Sequence, residues 1–94
     1  MKIERDEHGR KGAFFIENEG EWIAELTYFR SGENKITIDH TEVDPEYRKK
    51  GLGKDLVRKA AEFAEANNLK IKATCPFARE ILINTPDFHD VLLH

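Results

Sequence analysis

The hydrophobic repeat of this chain changes period once, near Pro45, and that change limits the folds open to it. Upstream, apolar residues come in short runs separated by turn residues, as strands require. Residues 8–12 are polar and hold two glycines, and Ala13-Phe14-Phe15-Ile16 after them predicts a first strand. Asn18-Glu19-Gly20-Glu21 supplies a hairpin turn into residues 22–29, where Trp22, Ala24, Leu26 and Tyr28 share one parity. Ser31-Gly32-Glu33-Asn34 turns again into residues 35–43, where Ile36, Ile38 and His40 alternate with Thr37, Asp39 and Thr41. Three strands in this order predict an antiparallel meander.

Downstream, Leu52, Leu56, Ala60, Phe63 and Ala64 follow the spacing of an amphipathic helix over residues 50–67. Residues 69–74, with Ile71 and Ala73, have the length of a strand. Pro76 suits a first helical position, and Phe77, Ala78, Ile81 and Leu82 share one helical face through Asn84. Residues 88–93 read as an edge strand or an apolar tail. Strand, helix and strand in sequence imply a parallel pair with a right-handed crossover. The expected class is mixed α/β: an antiparallel meander followed by strand, helix, strand and helix, in one domain over residues 1–94.

Charged residues make up 35% of the chain and the formal net charge is −3, which argues against a general nucleic-acid surface. A single cysteine, Cys75, excludes an intrachain disulfide and a multi-cysteine zinc site, and predicts a reducing compartment, the cytoplasm. Charges within the first seven residues leave no apolar core for a signal peptide, and no apolar run nears the ~20 residues of a membrane helix. A soluble protein with no membrane partner is expected.

Between the third strand and the long helix lies VDPEYRKKGLGKDLV, residues 43–57. The first amides of a helix lack intrahelical acceptors and sit at the positive end of its dipole, so they suit a phosphate or pyrophosphate. Gly51 and Gly53 remove Cβ atoms that would hold an anion away, and Arg48, Lys49, Lys50 and Lys54 add positive charge. A nucleotide P-loop does not fit, because Asp55 stands where it needs Ser or Thr. A dinucleotide fingerprint lacks its third glycine.

The segment closely resembles the acyl-CoA motif of the GNAT acyltransferase superfamily, R/Q-x-x-G-x-G/A preceded by V-x-P-x-x. Val43, Pro45, Arg48, Gly51 and Gly53 fill it, with Tyr47 before the arginine and Leu56 as the apolar helix residue. The likeness covers residues 36–78 and marks the chain as similar to the short stand-alone members. It implies acetyl-CoA as cofactor, bound by the main chain around Glu42 and Val43 and by the amides of Arg48, Lys49, Lys50, Gly51, Leu52, Gly53 and Lys54. The third and fourth strands would splay to admit it. An acceptor amine would attack the thioester directly, and no metal is implied.

Larger members carry two helices between their first strands, where this chain has a hairpin turn, so the acceptor side is expected to be open or shallow. A macromolecular amine, a pocket completed by a partner and no acceptor at all each stay open. Many relatives read N-x-x-A-x-x-x-Y after the last core strand; with Ala78 at the alanine, Cys75 takes the asparagine place and Leu82 that of the tyrosine acid. Cys75 precedes a helix N-terminus, where the dipole favours a thiolate, and it is a candidate for handling the leaving thiolate or accepting an acyl group. A small buried hydrophobe is the competing reading.

His40 and Glu42, on one face of the strand, are the candidate bases, subject to a bulge near Val43 of the kind the family carries. A structural role for His40 is the competing reading. His8, His89 and His94 lack ligand spacing and read as surface residues. Trp22, Phe14, Phe15 and Tyr28 read as sheet core, with Phe77 and Phe88 packed likewise. An N-acetyltransferase is the leading expectation; a non-catalytic acyl-CoA-binding or interaction module is its rival. A basic-turn module for phosphorylated or nucleic-acid partners comes third.

Overall fold

The computed structural model describes residues 2–93. Strands β1 (Glu4–His8), β2 (Lys11–Asn18), β3 (Glu21–Gly32) and β4 (Lys35–Val43) precede helix α1 (Leu52–Ala66), strand β5 (Lys70–Ala73) and helix α2 (Pro76–Ile83). Short 3-10 turns, Pro45–Tyr47 and Pro86–Phe88, precede α1 and follow α2. The strands form one sheet in sequence order, antiparallel throughout except for the parallel β4–β5 pair. That is the expected mixed α/β arrangement.

Strand β1 was not expected, because its sequence, ERDEH, holds no apolar residue. It pairs with β2 from Glu4↔Phe15 to His8↔Lys11, and side-chain chemistry anchors it. Tyr28 Oη donates to Glu7 Oε1 at 2.8 Å, Arg30 donates to both Glu7 oxygens at 3.3 Å, and Arg5 donates to Tyr28 Oη at 3.2 Å. The Arg5 guanidinium also lies 4.5 Å from the Phe63 ring centroid, which ties the edge strand to α1.

The inner face of the sheet carries Phe14, Leu26, Tyr28, Ile36, Ile38 and Ile71, all 3% exposed or less. Against it α1 lays Leu56, Val57, Ala60, Ala61 and Ala64, each fully buried. Small residues there let the helix approach the sheet closely. Beside α1, α2 adds Ala78 and Leu82 to the same core cluster. Residues 88–93 combine both expectations: Leu92 forms one parallel bridge to Ile71, with Ile71 N donating to Val91 O at 2.6 Å.

Bulges at Ile23 and Asp39 overturn assignments made from strict alternation. Ile16 pairs with Ala24 and Glu17 with Trp22, so Ile23 is an extra residue in β3. Trp22 is thereby moved off the core face; it is 45% exposed and stacks on Phe15 with centroids 4.0 Å apart. Thr27 pairs with His40 and Tyr28 with Ile38, so Asp39 is extra in β4. This bulge lies before His40, not near Val43. It sends His40 and Glu42 to the outer face while Thr41 and Val43 continue the inner one. Phe77 is 48% exposed instead of packed, whereas Phe88 is buried as expected.

Burial pushes the Glu7 carboxyl up, but hydrogen bonds from Tyr28 and Arg30 and the charges of Arg30 and Arg5 outweigh it and hold it below the ordinary 4.5. A carboxylate lowered on folding contributes stability above its unfolded value and loses it as pH falls through the folded one. Glu7→Gln removes that contribution. The Tm gap between wild type and Glu7→Gln is therefore expected to be widest near neutrality and to close below pH 4.5. A gap that does not vary between pH 7 and 3 would show that the charge of Glu7 does not matter.

Candidate functional site

Strand β4 outruns its parallel neighbour. Pairing with β5 covers Lys35↔Lys70 to Ile38↔Ala73. Thr74 N and Cys75 N then both donate to Ile38 O, at 3.0 and 3.3 Å, as the chain turns into α2. Residues 39–43 have no strand beside them on that edge among the described residues. A groove of about 730 Å³ opens there, with Thr41 and Val43 on one side, Leu52 and Gly53 at the start of α1, and Phe77 and Ile81 from α2.

The turn leading into α1 forms the polar end of this groove. Gly51 is the N-cap, with φ +75° and no side-chain hydrogen bond to the helix start. The amides of Leu52, Gly53 and Lys54 consequently have neither an intrahelical acceptor nor a capping side chain. A Cβ on Gly51 would meet open space, so its left-handed backbone is what calls for glycine. Gly53 answers a different need: a Cβ there would come within 2.8 Å of Phe77 Cζ. Sequence reasoning assigned both glycines to an anion; the second also leaves room for the Phe77 ring of α2.

Arg48, Lys49 and Lys54 line the same end, and Lys50 Nζ lies 5.7 Å from the centroid of the Tyr47 ring. None of the four cations is in an ion pair with a carboxylate among the described residues. Arg48 Nε donates to Val43 O at 3.2 Å, which folds the arginine back along β4. Tyr47, which also lines the groove, accepts a 2.7 Å hydrogen bond from Asn18 Nδ2. The groove rim is thus tied to the β2–β3 turn.

His40 and Glu42 line the other end, with Nε2 and Oε2 3.4 Å apart. Glu25, opposite Glu42 on β3, joins them: one donor atom from each of Glu25, His40 and Glu42 lies within 4.8 Å of the others. Cys75 is 7% exposed and sits one layer back. Its thiol donates to Thr41 Oγ1 at 3.6 Å, and Thr41 is the residue that reaches the groove. Leu82, at the place of the tyrosine acid, is fully buried. His8 and His89 are exposed, bonded to Asp6 and to Ile83 O respectively; His94 lies outside the described residues.

Sequence reasoning missed Thr41, Phe77, Ile81 and Glu25 as site residues. Thr41 was hidden by the Asp39 bulge and Glu25 by cross-strand pairing. Phe77 and Ile81 carried no signal beyond helical periodicity, which reads equally as core.

A family profile described as GCN5-related N-acetyl-transferase matches residues 13–91. The chain belongs to that family. Among solved GCN5-related structures, a Staphylococcus aureus protein described as a GCN5-like N-acetyltransferase is 40% identical with a TM-score of 0.74, over 96% of this chain and 87% of that one. A Bacillus anthracis protein described as a streptothricin acetyltransferase, solved with acetyl coenzyme A, shares the fold at 23% identity and a TM-score of 0.56, over 68% of this chain and 37% of its own. Protein NATD1 of Gallus gallus is 32% identical over 63 residues, 67% of this chain and 57% of that protein. The match thus spans little more than half of that relative's length.

The two motif glycines should respond differently to alanine. Gly51→Ala is expected to cost about 1–2 kcal/mol in denaturant unfolding, because it forces a side chain into the left-handed region. Gly53→Ala meets only the end of a half-exposed ring that can swing away and gains helix propensity, so it is expected within about 1 kcal/mol of wild type. Equal costs at both positions would remove this distinction.

Proposed function

We propose that the chain is an acetyl-CoA-dependent N-acetyltransferase, acting as one domain over residues 1–94. The observation that carries this reading is the groove in which uncapped helix amides, three cations without carboxylate partners among the described residues and the free edge of β4 converge. These features suit an anionic pyrophosphate at one end and an amide-bearing pantetheine arm along residues 39–43, and membership of the family supports the assignment. The cofactor-side residues are Glu42, Val43, Arg48, Lys49, Lys50, Gly51, Leu52, Gly53 and Lys54.

Acetyl-CoA supplies, when bound, a thioester whose C–S bond breaks as an acceptor nitrogen forms the new C–N bond. The chain's own groups then have two proton tasks. An ammonium acceptor must lose a proton before it can attack. A neutral His40 that donates Nε2–H to Glu42 presents its Nδ1 lone pair for that proton, and the Glu42 carboxylate is the alternative base. At the other end, the Cys75 thiol donates to Thr41 Oγ1, so the pair can pass a proton to the leaving sulfur from the Thr41 hydroxyl.

A second reading, a non-catalytic acyl-CoA-binding or interaction module, is favoured by one observation: the buried Leu82 offers no hydroxyl to the groove. The unpaired thiol of Cys75 suits a cytoplasmic location. Among the described residues no helix is long and apolar enough to cross a membrane. A nucleic-acid role is not proposed for an acidic chain, and the acceptor is an amine.

A thermal-shift series with acetyl-CoA, CoA and ATP tests the cofactor. At 100-fold excess over Kd, a ligand adds about 2.7 kcal/mol, which raises Tm by roughly 10 °C or more in a domain of this size. Both CoA forms are expected to shift wild type, with no shift in Gly51→Glu. No shift with either would sink both readings. Turnover on amine mixtures then separates them. His40→Gln is expected to lower the rate about 10²-fold or more, as loss of a general base does. Cys75→Ala should lower it with cofactor affinity unchanged; an unaltered rate would remove Cys75 from the mechanism.

A further inference from the structure

The sheet face opposite the helices carries carboxylates, those of Glu25 and Asp44, that are in no ion pair among the described residues. A second depression, about 260 Å³, lies on it beside the end of the groove at which Glu42 stands. Its walls are Trp22, Ile23 and Pro45 with the carboxylates of Glu25, Glu42 and Asp44, and no basic side chain lines it. Glu42 belongs to both cavities, so the two adjoin.

Glu25 and Glu42 are direct cross-strand partners. Like charges placed opposite each other on a sheet destabilise it, and neither Glu25 nor Asp44 is in an ion pair with a cationic side chain among the described residues. Glu42 meets only His40, at 3.4 Å. The indole of Trp22 stands beside these carboxylates, held flat by its stack on Phe15. A flat aromatic surface next to converging carboxylates suits an alkylammonium: the ring takes the apolar stem and the carboxylates take the charged head.

Negative charge continues across the face. Glu4 on β1 pairs with Phe15, Phe15 with Glu25, and Glu25 with Glu42, a row that spans four strands. At about 4.8 Å per strand the row is roughly 14 Å long. Asp6 lies one register step along, in the row Asp6, Ala13, Thr27 and His40, and the bulged Asp39 accepts from Thr27 Oγ1 of that row at 2.6 Å. The depression has room for one side chain, while the row is long enough for several residues of an extended chain.

We propose that this outer face docks a lysine-rich segment of another polypeptide, with one lysine seated against Trp22 among Glu25, Glu42 and Asp44. The proposal deepens the acetyltransferase reading by giving the acceptor class, and as the acceptor's docking site it rests on that reading. The docked segment is basic and extended, and the free protein carries the mutual repulsion of Glu25 and Glu42 until a cation arrives.

Trp22 is the only tryptophan in the chain, so its emission reports on this depression directly. The full chain is titrated with an eight-residue Lys/Gly peptide, a Glu/Gly peptide of equal length, spermidine, and zinc or magnesium ions. A saturable change with the lysine peptide that weakens with added salt is expected, with none from the acidic peptide. Glu25→Gln is expected to weaken the lysine peptide tenfold or more while leaving Tm unchanged or higher, which a merely structural glutamate would not do. Asp44→Asn, which keeps the oxygen that caps Glu46 N, should weaken it as well.

Four outcomes would each overturn the proposal: no saturable change with the lysine peptide, undiminished affinity in Glu25→Gln, spermidine or a metal ion binding more tightly than the peptide, or an emission change driven by protein concentration alone. Gly51→Glu separates this inference from the proposed function. Peptide binding that survives without any acetyl-CoA shift in wild type would leave the docking surface and remove the enzyme. An acetyl-CoA shift without peptide binding would do the reverse.

Discussion

Strand β4 is paired along its whole length on one side and for only its first four residues on the other, and the site depends on that inequality. Where β5 stops at Ala73, β4 continues to Val43, and an unpaired strand edge is exposed between two helices. An edge of this kind invites another chain to add to it. Here α1, α2 and the turn before α1 surround it and narrow what can reach it to something that fits a groove. The Ile38 carbonyl marks the branch point, since it accepts from both Thr74 and Cys75 as the chain leaves the sheet.

Much of this architecture was legible in the sequence, because the change of hydrophobic period at Pro45 separates pleated from helical segments by physics alone. The bounds of β4 and the Gly51 turn came from alternation and from glycine chemistry. What stayed hidden involves residues whose place is set by distant partners. Strand β1 has no apolar signal and is held by Glu7, whose partners Tyr28 and Arg30 lie more than twenty positions away in sequence. The bulges at Ile23 and Asp39 leave no mark in a pattern of period two, yet they decide which face Trp22, His40 and Thr41 occupy.

The chain also separates its charges around the site. Arg48, Lys49, Lys50 and Lys54 gather near the start of α1, while Glu25, Glu42 and Asp44 border the depression on the other face of the sheet, which shares only Glu42 with the groove. In a protein of net charge −3 this distance matters, because mixing the two sets would neutralise both. Of these carboxylates only Glu42 reaches the groove, so a ligand there meets mostly positive charge, from Arg48, Lys49 and Lys54.

The bulge at Asp39 bears on how such a site can change over time. Residues 40–43 owe their facing to one inserted position, so losing or gaining a residue there would rotate His40 inward and Thr41 outward without disturbing any strand or helix. Ordinary point substitution explores this groove one side chain at a time. A single-codon insertion or deletion exchanges the whole set at once, which gives a small scaffold a route to a differently lined groove that leaves the Gly51 turn intact.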